Sequence, residues 1–187
     1  MQVSFGQKIP IALAQIQNKQ TDEFEQATIY EVDCKDSLDI VEARNDSKHW
    51  NFPCEIVHNM NCKYKNNDDS NSFYILQNRN FETIGRVQIA QKDDEIYSVE
   101  WLDTKENNGY RFVGQTILAV VGKEVLSKNG TSLAVLTAVP DAYSFYEDVC
   151  QFQTLGKNRY YMEKEEIDDF IKRTEKRTQG SIINLKV

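Results

Sequence analysis

Apolar and polar positions first fall into a regular rhythm at "ATIYEVD" (Ala27–Asp33), which alternates with the two-residue period of a strand. The next segment, "KDSLDIVEARND", changes period, and Leu38, Val41 and Ile40 fall on one helical face. "NFPCEIVHNMNC" predicts a second short helix, with Pro53 in its first turn, where a missing N–H removes no helical bond. "KYKNNDDSNS" is polar and turn-rich and reads as an exposed loop. After it the pattern sharpens. "SFYILQ", "ETIGRVQIAQ" and "EIYSVEWLD" are strands separated by the turns "NRNF" and "KDD", and links this short predict an antiparallel meander. Ile117, Leu118, Val121 and Val125 then recur at helical spacing, and "KNG" ends that helix with Gly130 as its left-handed cap. The nearly unbroken apolar run "TSLAVLTAV" predicts a strand buried on both faces, parallel to "EIYSVEWLD" because a helix joins the two. "PDAYSFYEDV" reads as a short helix, "QFQTLGKNRYYMEK" as a hairpin and "EEIDDFIKRTEKR" as an amphipathic helix.

Composition narrows the classes. A chain of 187 residues can bury a proper core as one domain, and 40% hydrophobic with 27% charged residues is an ordinary globular balance. The net charge of −7 speaks against a general nucleic-acid binder, which needs a basic face; the one basic run, "IKRTEKRTQ", alternates with acids like a solvated helix face. Excess acid weakly favours a cationic substrate such as an amine. Cys34, Cys54, Cys62 and Cys150 show no metal-like spacing, and only His49 and His58 could add imidazole, so no metal is expected. Unpatterned cysteines suit a reducing compartment. The start "MQVSFGQKIPIALAQIQ" lacks a basic leader and is broken by Pro10, and no stretch approaches a membrane span; a cytoplasmic, soluble protein is the expectation.

The chemistry concentrates in "YRFVGQT", Tyr110–Thr116. An arginine and a lone glycine precede an apolar helix, where a Ser, Thr, Asp or Asn cap would be usual. Unsatisfied N–H groups and the helix dipole at such a start form an anion site, and Gly114 removes the Cβ that would keep a phosphate at a distance.

From Ser72 onward the chain resembles the GNAT superfamily of acyl-CoA-dependent N-acetyltransferases. The resemblance rests on pieces in the family's order: "ETIGRVQIA" for its third strand, "RFVGQT" for its Arg/Gln-x-x-Gly-x-Gly/Ala phosphate loop, "SLAVLTAV" for the next buried strand, and "AYSFYEDVCQF" for its Ala-x-x-Phe-Tyr-Glu-x-x-Gly-Phe signature. They cover roughly half the chain, within a core spanning 72–175, while 1–70 matches nothing nameable. Departures are Thr116 at the loop's third small position, the long link "TKENNG", Val139 where an Asn is frequent, and "CQF", which replaces Gly-Phe and adds a residue.

The resemblance implies one α+β domain over 1–187, a three-layer α/β/α GNAT-like fold around a mixed, mostly antiparallel central sheet. It implies acetyl-CoA as co-substrate, held by Arg111, Phe112, Val113, Gly114, Gln115 and Thr116 at the phosphates and by the backbone of Trp101 and Leu102 along the pantetheine arm. Gln115 and Thr116 would contribute chiefly their backbone N–H groups. It implies direct attack of a primary amine, on a small molecule or a peptide, with Tyr146 as the acid that protonates the departing thiolate. No metal, nucleic acid or membrane enters, and a homodimer is compatible with the family.

The base is open. Glu100, in "SVEWL", either faces the cleft, where burial would raise its pKa, or lies on a solvated face opposite Val99 and Trp101. Asp103 reads rather as a strand-end turn residue, and His49 beside Trp50 as a surface histidine or a wall of the acceptor pocket. No nucleophile arrangement surrounds Cys150 or Ser144, and no Gly-x-x-x-x-Gly-Lys-Ser/Thr loop points to a nucleotide. The rival to catalysis is a silent GNAT-like module that binds acyl-CoA or a protein partner, which a groove occluded by Trp101 would favour.

Overall fold

The computed structural model describes residues 8–32, 50, 53–66 and 70–185, with 53–57 described as backbone only. In chain order the elements are β1 (Lys8–Asn18), β2 (Phe24–Val32), α1 (Pro53–Asn66), β3 (Asn71–Gln77), β4 (Thr83–Gln91), β5 (Ile96–Thr104), β6 (Tyr110–Arg111) and α2 (Val113–Ser127). They continue with β7 (Ser132–Val135), a 3₁₀ turn (Pro140–Ala142), a π-helical turn (Phe145–Cys150), β8 (Gln153–Gly156), β9 (Arg159–Glu163), α3 (Lys164–Arg177) and β10 (Ile183–Asn184). The strands form one sheet in the order β10-β1-β2-β3-β4-β5-β7-β9-β8, with β6 paired to β1. Only β5 and β7 run parallel; the other described pairings are antiparallel. The fold is therefore the expected mixed, mostly antiparallel sheet, and the meander, the parallel crossover and the β8–β9 hairpin stand where the pattern put them.

Helices cover both faces. The main core joins Ile117, Leu118 and Val121 of α2 and Ile167, Phe170 and Ile171 of α3 to sheet residues such as Leu76, Val87, Ile89 and Leu133. On the other face Met60 of α1 packs with Val32 and Phe73, flanked by Ile75 and Trp101. Close approach depends on glycines at two joints. A Cβ on Gly85 of β4 would stand 2.8 Å from Val113 Cγ1, so the first turn of α2 lies directly on the strand. A Cβ on Gly122 would stand 2.8 Å from Ile167 Cγ2, where α2 meets α3.

Several expectations are corrected. The N-terminal run read only as a broken apolar stretch is the strand β1; Pro10 stands opposite Tyr30, directly beside the register shift between Pro10 and Ala12, the kind of irregularity at which strand prolines are found. α1 extends through "KYKN", expected as loop, with Lys63 and Lys65 in the last turn, where cations suit the helix dipole. The left-handed residue after α2 is Asn129 (φ 62), not Gly130. Gly130 is required by space instead, since a Cβ there would lie 2.5 Å from Val125 Cγ1 and 2.9 Å from Tyr97 Cε2. "TSLAVLTAV" is not one buried strand: β7 ends at Val135, and Leu136 and Val139 are exposed. The helix expected over "KDSLDIVEARND" lies outside the described residues, as does His49.

Candidate functional site

β5 and β7 pair only from Ile96↔Ser132 to Val99↔Val135. Beyond Val99 the strands part. The divergence coincides with a β-bulge: on β4, Gln88 faces Trp101 and Ile89 faces Val99, so Glu100 has no partner of its own. A bulge bends its strand and raises the local twist, and the remaining edge of β5 runs on past the end of its pairing with β7. A cavity of about 930 Å³ opens there, within the size range of small-molecule sites. Leu102, Asp103 and Thr104 of β5 form one wall, Arg111 to Gln115 a second, and Ala142, Phe145, Tyr146 and Val149 a third. Lys19, Asn108 and Arg177 also border it.

The second wall is the start of α2. Phe112, its N-cap, takes a left-handed conformation (φ 67), no side chain caps the helix, and its first turn holds no acid. A bulky residue in that region costs roughly 1–2 kcal/mol, a strain typical of functional turns. Thr116 N–H donates to Phe112 O at 2.8 Å, so the free N–H groups are those of Val113, Gly114 and Gln115. Gly114 keeps this mouth open: a Cβ would project between Phe145 Cζ (3.3 Å) and Thr104 Cγ2 (3.6 Å), both cavity residues. Thr116 is 1% exposed and its hydroxyl is buried without a hydrogen-bond partner. Arg111 is held by β6 against β1 and donates to Asp22 Oδ1 at 3.0 Å and Gln17 Oε1 at 3.4 Å.

The third wall carries Tyr146. It stacks on Tyr160 (5.5 Å, 24°) and meets Phe145 and Phe152 edge-on at 5.2 and 5.6 Å, while Tyr160 O–H donates to Glu147 Oε1 at 2.8 Å. Burial pushes the Tyr146 phenol well above its usual range, so it is a proton-bearing donor at neutral pH. The residue added in "CQF" is absorbed by the π-helical turn. Gln151 N–H reaches back to Tyr146 O, and Gln151 (φ 60) adopts the left-handed conformation that suits glycine. Cys150 is fully buried, and burial pushes its thiol up to about 12 against the pull of Arg177 and Arg173. It is no nucleophile at neutral pH.

The remaining candidates divide: Glu100 and the Trp101 ring lie away from this cluster, and Asp103 lies on its wall. Glu100 sits on the exposed bulge, ion-paired to Lys92 at 2.8 Å and accepting a hydrogen bond from Ser98. Trp101 turns its ring to the opposite face, beside Val32, Met60 and Phe73, and does not occlude the cavity. Asp103 is not a strand-end turn residue; it is 5% exposed inside β5, on the cavity wall, and pairs with Arg86 at 3.7 Å. The Arg86 guanidinium in turn lies 4.1 Å from the centre of the Trp50 ring. The basic run near the C-terminus is not wholly solvated, since Arg173 donates to Cys150 O at 3.0 Å and Arg177 to Val149 O at 3.3 Å. Lys19 and Arg177 were not legible as site residues, because no spacing rule connects them to "YRFVGQT". Among the described residues no His/Cys/Asp/Glu group could hold a metal ion, and no helix is long and apolar enough to cross a membrane.

The chain has the fold of the GNAT acetyltransferases. It superposes on apo FdhC, a nucleotide-linked sugar GNAT, with a TM-score of 0.60 at 12% identity, covering 94% of this chain and 99% of that one. It also resembles the spermidine N-acetyltransferase SpeG of Vibrio cholerae (TM-score 0.57, 15% identity, 75% and 95% covered). The aminoglycoside 6'-N-acetyltransferase of Enterococcus faecium is a third such structure (TM-score 0.56, 12% identity, 73% and 96% covered). No protein-family model and no curated protein matches the sequence.

Proposed function

We propose that the protein is an acyl-CoA-dependent N-acyltransferase that moves an acetyl group from acetyl-CoA to a primary amine. The observation that carries this reading is that the uncapped start of α2 and Tyr146 line one cavity, at the point where β5 and β7 separate. In this reading the free N–H groups of Val113, Gly114 and Gln115 hold the phosphates, aided by Arg111 once it exchanges Asp22 for a phosphate oxygen. The edge of β5 at Trp101 and Leu102, past the end of its pairing with β7, offers backbone groups to an extended arm. The thioester supplies the activated acyl group. The amine nitrogen forms a bond to the carbonyl carbon, the carbon–sulfur bond breaks, and the nitrogen gives up a proton to solvent water. Tyr146 donates its proton, or a hydrogen bond, to the departing sulfur. The acceptor is a small molecule or a peptide amine. The open groove gives no support to a silent module occluded by Trp101.

Calorimetry with acetyl-CoA, followed by thiol release across a panel of amines, tests the reading. Micromolar binding with amine-dependent thiol release supports it. Absence of acetyl-CoA binding by the wild-type chain refutes it.

A further inference from the structure

We propose that Arg177, at the end of α3, is a second phosphate ligand of this cavity, reaching the nucleotide end of acyl-CoA together with Arg111. The inference rests on the acyl-CoA reading and deepens it. Its argument is electrostatic. A cation suits the C-terminal turn of α3, where Arg177 lies beside Lys176. Its guanidinium, however, leans on the N-terminal turn of α2, where a cation is disfavoured by the same dipole argument.

Arg177 is exposed, and its guanidinium meets no carboxylate in the ion pairs of the described residues. Instead one nitrogen, Nη1, donates to the neutral amide oxygen of Gln115 at 3.4 Å and to Val149 O at 3.3 Å. Both bonds are long, and most of the guanidinium's N–H donors remain for other partners.

The surroundings repeat the imbalance. The first turn of α2 has no acid, and Arg111 precedes it. Of the acids on the cavity wall, Asp103 is engaged with Arg86, and Asp141 lies in the 3₁₀ turn Pro140–Ala142. A chain with 29 acidic residues thus gathers two arginines and a helix N-terminus around one opening, and among the described residues the carboxylate paired with these arginines is Asp22, on Arg111. A phosphate would balance them. Gln115 fixes the geometry, because its Nε2 donates to Thr174 Oγ1 at 3.3 Å and so ties α3 to the mouth.

The pyrophosphate and the ribose phosphate of coenzyme A share this chemistry, and truncated ligands separate them. Wild-type protein, Arg177→Gln and Arg177→Lys are titrated calorimetrically with coenzyme A and with dephospho-coenzyme A. Gln keeps a donor for the Val149 carbonyl but drops the charge; Lys keeps the charge. The expected result is a loss of about ten-fold or more in R177Q, as for a charge-assisted bond, with most affinity retained in R177K. Loss on both ligands assigns the pyrophosphate, and loss on coenzyme A alone assigns the ribose phosphate. Equal affinity in wild type and R177Q, or an equally large loss in R177K, overturns the proposal. Failure of the wild type to bind coenzyme A at all is a different result, which removes the acyl-CoA reading and this inference with it.

Discussion

Gly114→Ala separates binding from folding. Gly114 lies in the first turn of α2 with no need for a left-handed backbone, so alanine fits its conformation and adds some helix propensity. The new methyl would meet Phe145 Cζ at 3.3 Å, a contact an aromatic ring relieves by shifting a few tenths of an ångström, and Thr104 Cγ2 at an ordinary 3.6 Å. Stability should change by no more than about 1 kcal/mol, a melting shift of roughly 2–4 °C for a chain of this size. The same methyl stands in the cavity beside the free N–H groups of Val113, Gly114 and Gln115. An oxyanion pushed off one such donor loses about 1.5–3 kcal/mol, which is roughly 10- to 150-fold in Kd. Calorimetry with acetyl-CoA alongside thermal melts reads both quantities, and Gly114→Trp should abolish binding. If Gly114→Ala melts like the wild type and binds acetyl-CoA within about two-fold of it, the phosphate site at this helix start is wrong.

Tyr146→Phe should lower turnover by about 10²–10⁴ while leaving coenzyme A affinity within a factor of about two; full activity in a thiol-release assay would remove Tyr146 as proton donor. Gln151→Gly should stabilise by about 0.5–1 kcal/mol, because glycine accepts φ 60 without the Cβ penalty. A lower urea midpoint would show that the glutamine side chain matters more than the strain. Burial raises the pKa of Cys150, Tyr146 and Tyr74, so the folded state favours their protonated forms. The stability this represents is complete below their unfolded values of about 8.5–10 and is lost as pH climbs through 12. Urea midpoints should fall between pH 8 and 11, and Cys150→Ala should soften the early part of that fall; a rising midpoint refutes the argument.

What the sequence revealed, and what it hid, follows from the range of the interactions. The meander, α2 and the β8–β9 hairpin were legible because period and turn chemistry are local. β1 was missed because Pro10 interrupts its alternation, and the register shift beside it shows only in the pairing with β2. The end of β7 was overrun because "LTAV" is apolar whether or not it pairs; Leu136 and Val139 instead flank the place where the strands part. At the site, "RFVGQT" and Tyr146 were readable as motifs. The division between Glu100 and Asp103 was not, since a bulge at Glu100 resets which face each later residue takes. Arg177 reaches the mouth from α3, whose close packing on α2 at Gly122 no local pattern announces.

The short β5–β7 seam has a further consequence for motion. Six strands from β10 to β5 form one plate and β7, β9 and β8 another, and within the sheet the two are joined only through the parallel pairs from Ile96↔Ser132 to Val99↔Val135. Parallel pairing is slightly weaker per residue than antiparallel, so this joint is where the sheet should part first in sub-global opening. Backbone amides of β7 and β9 should then exchange with solvent deuterium as a group, sooner than those of β2 to β4. A molecule lodged between the diverging strands would act as a rivet across both plates, and its occupancy would be written into the exchange rates of amides it never touches.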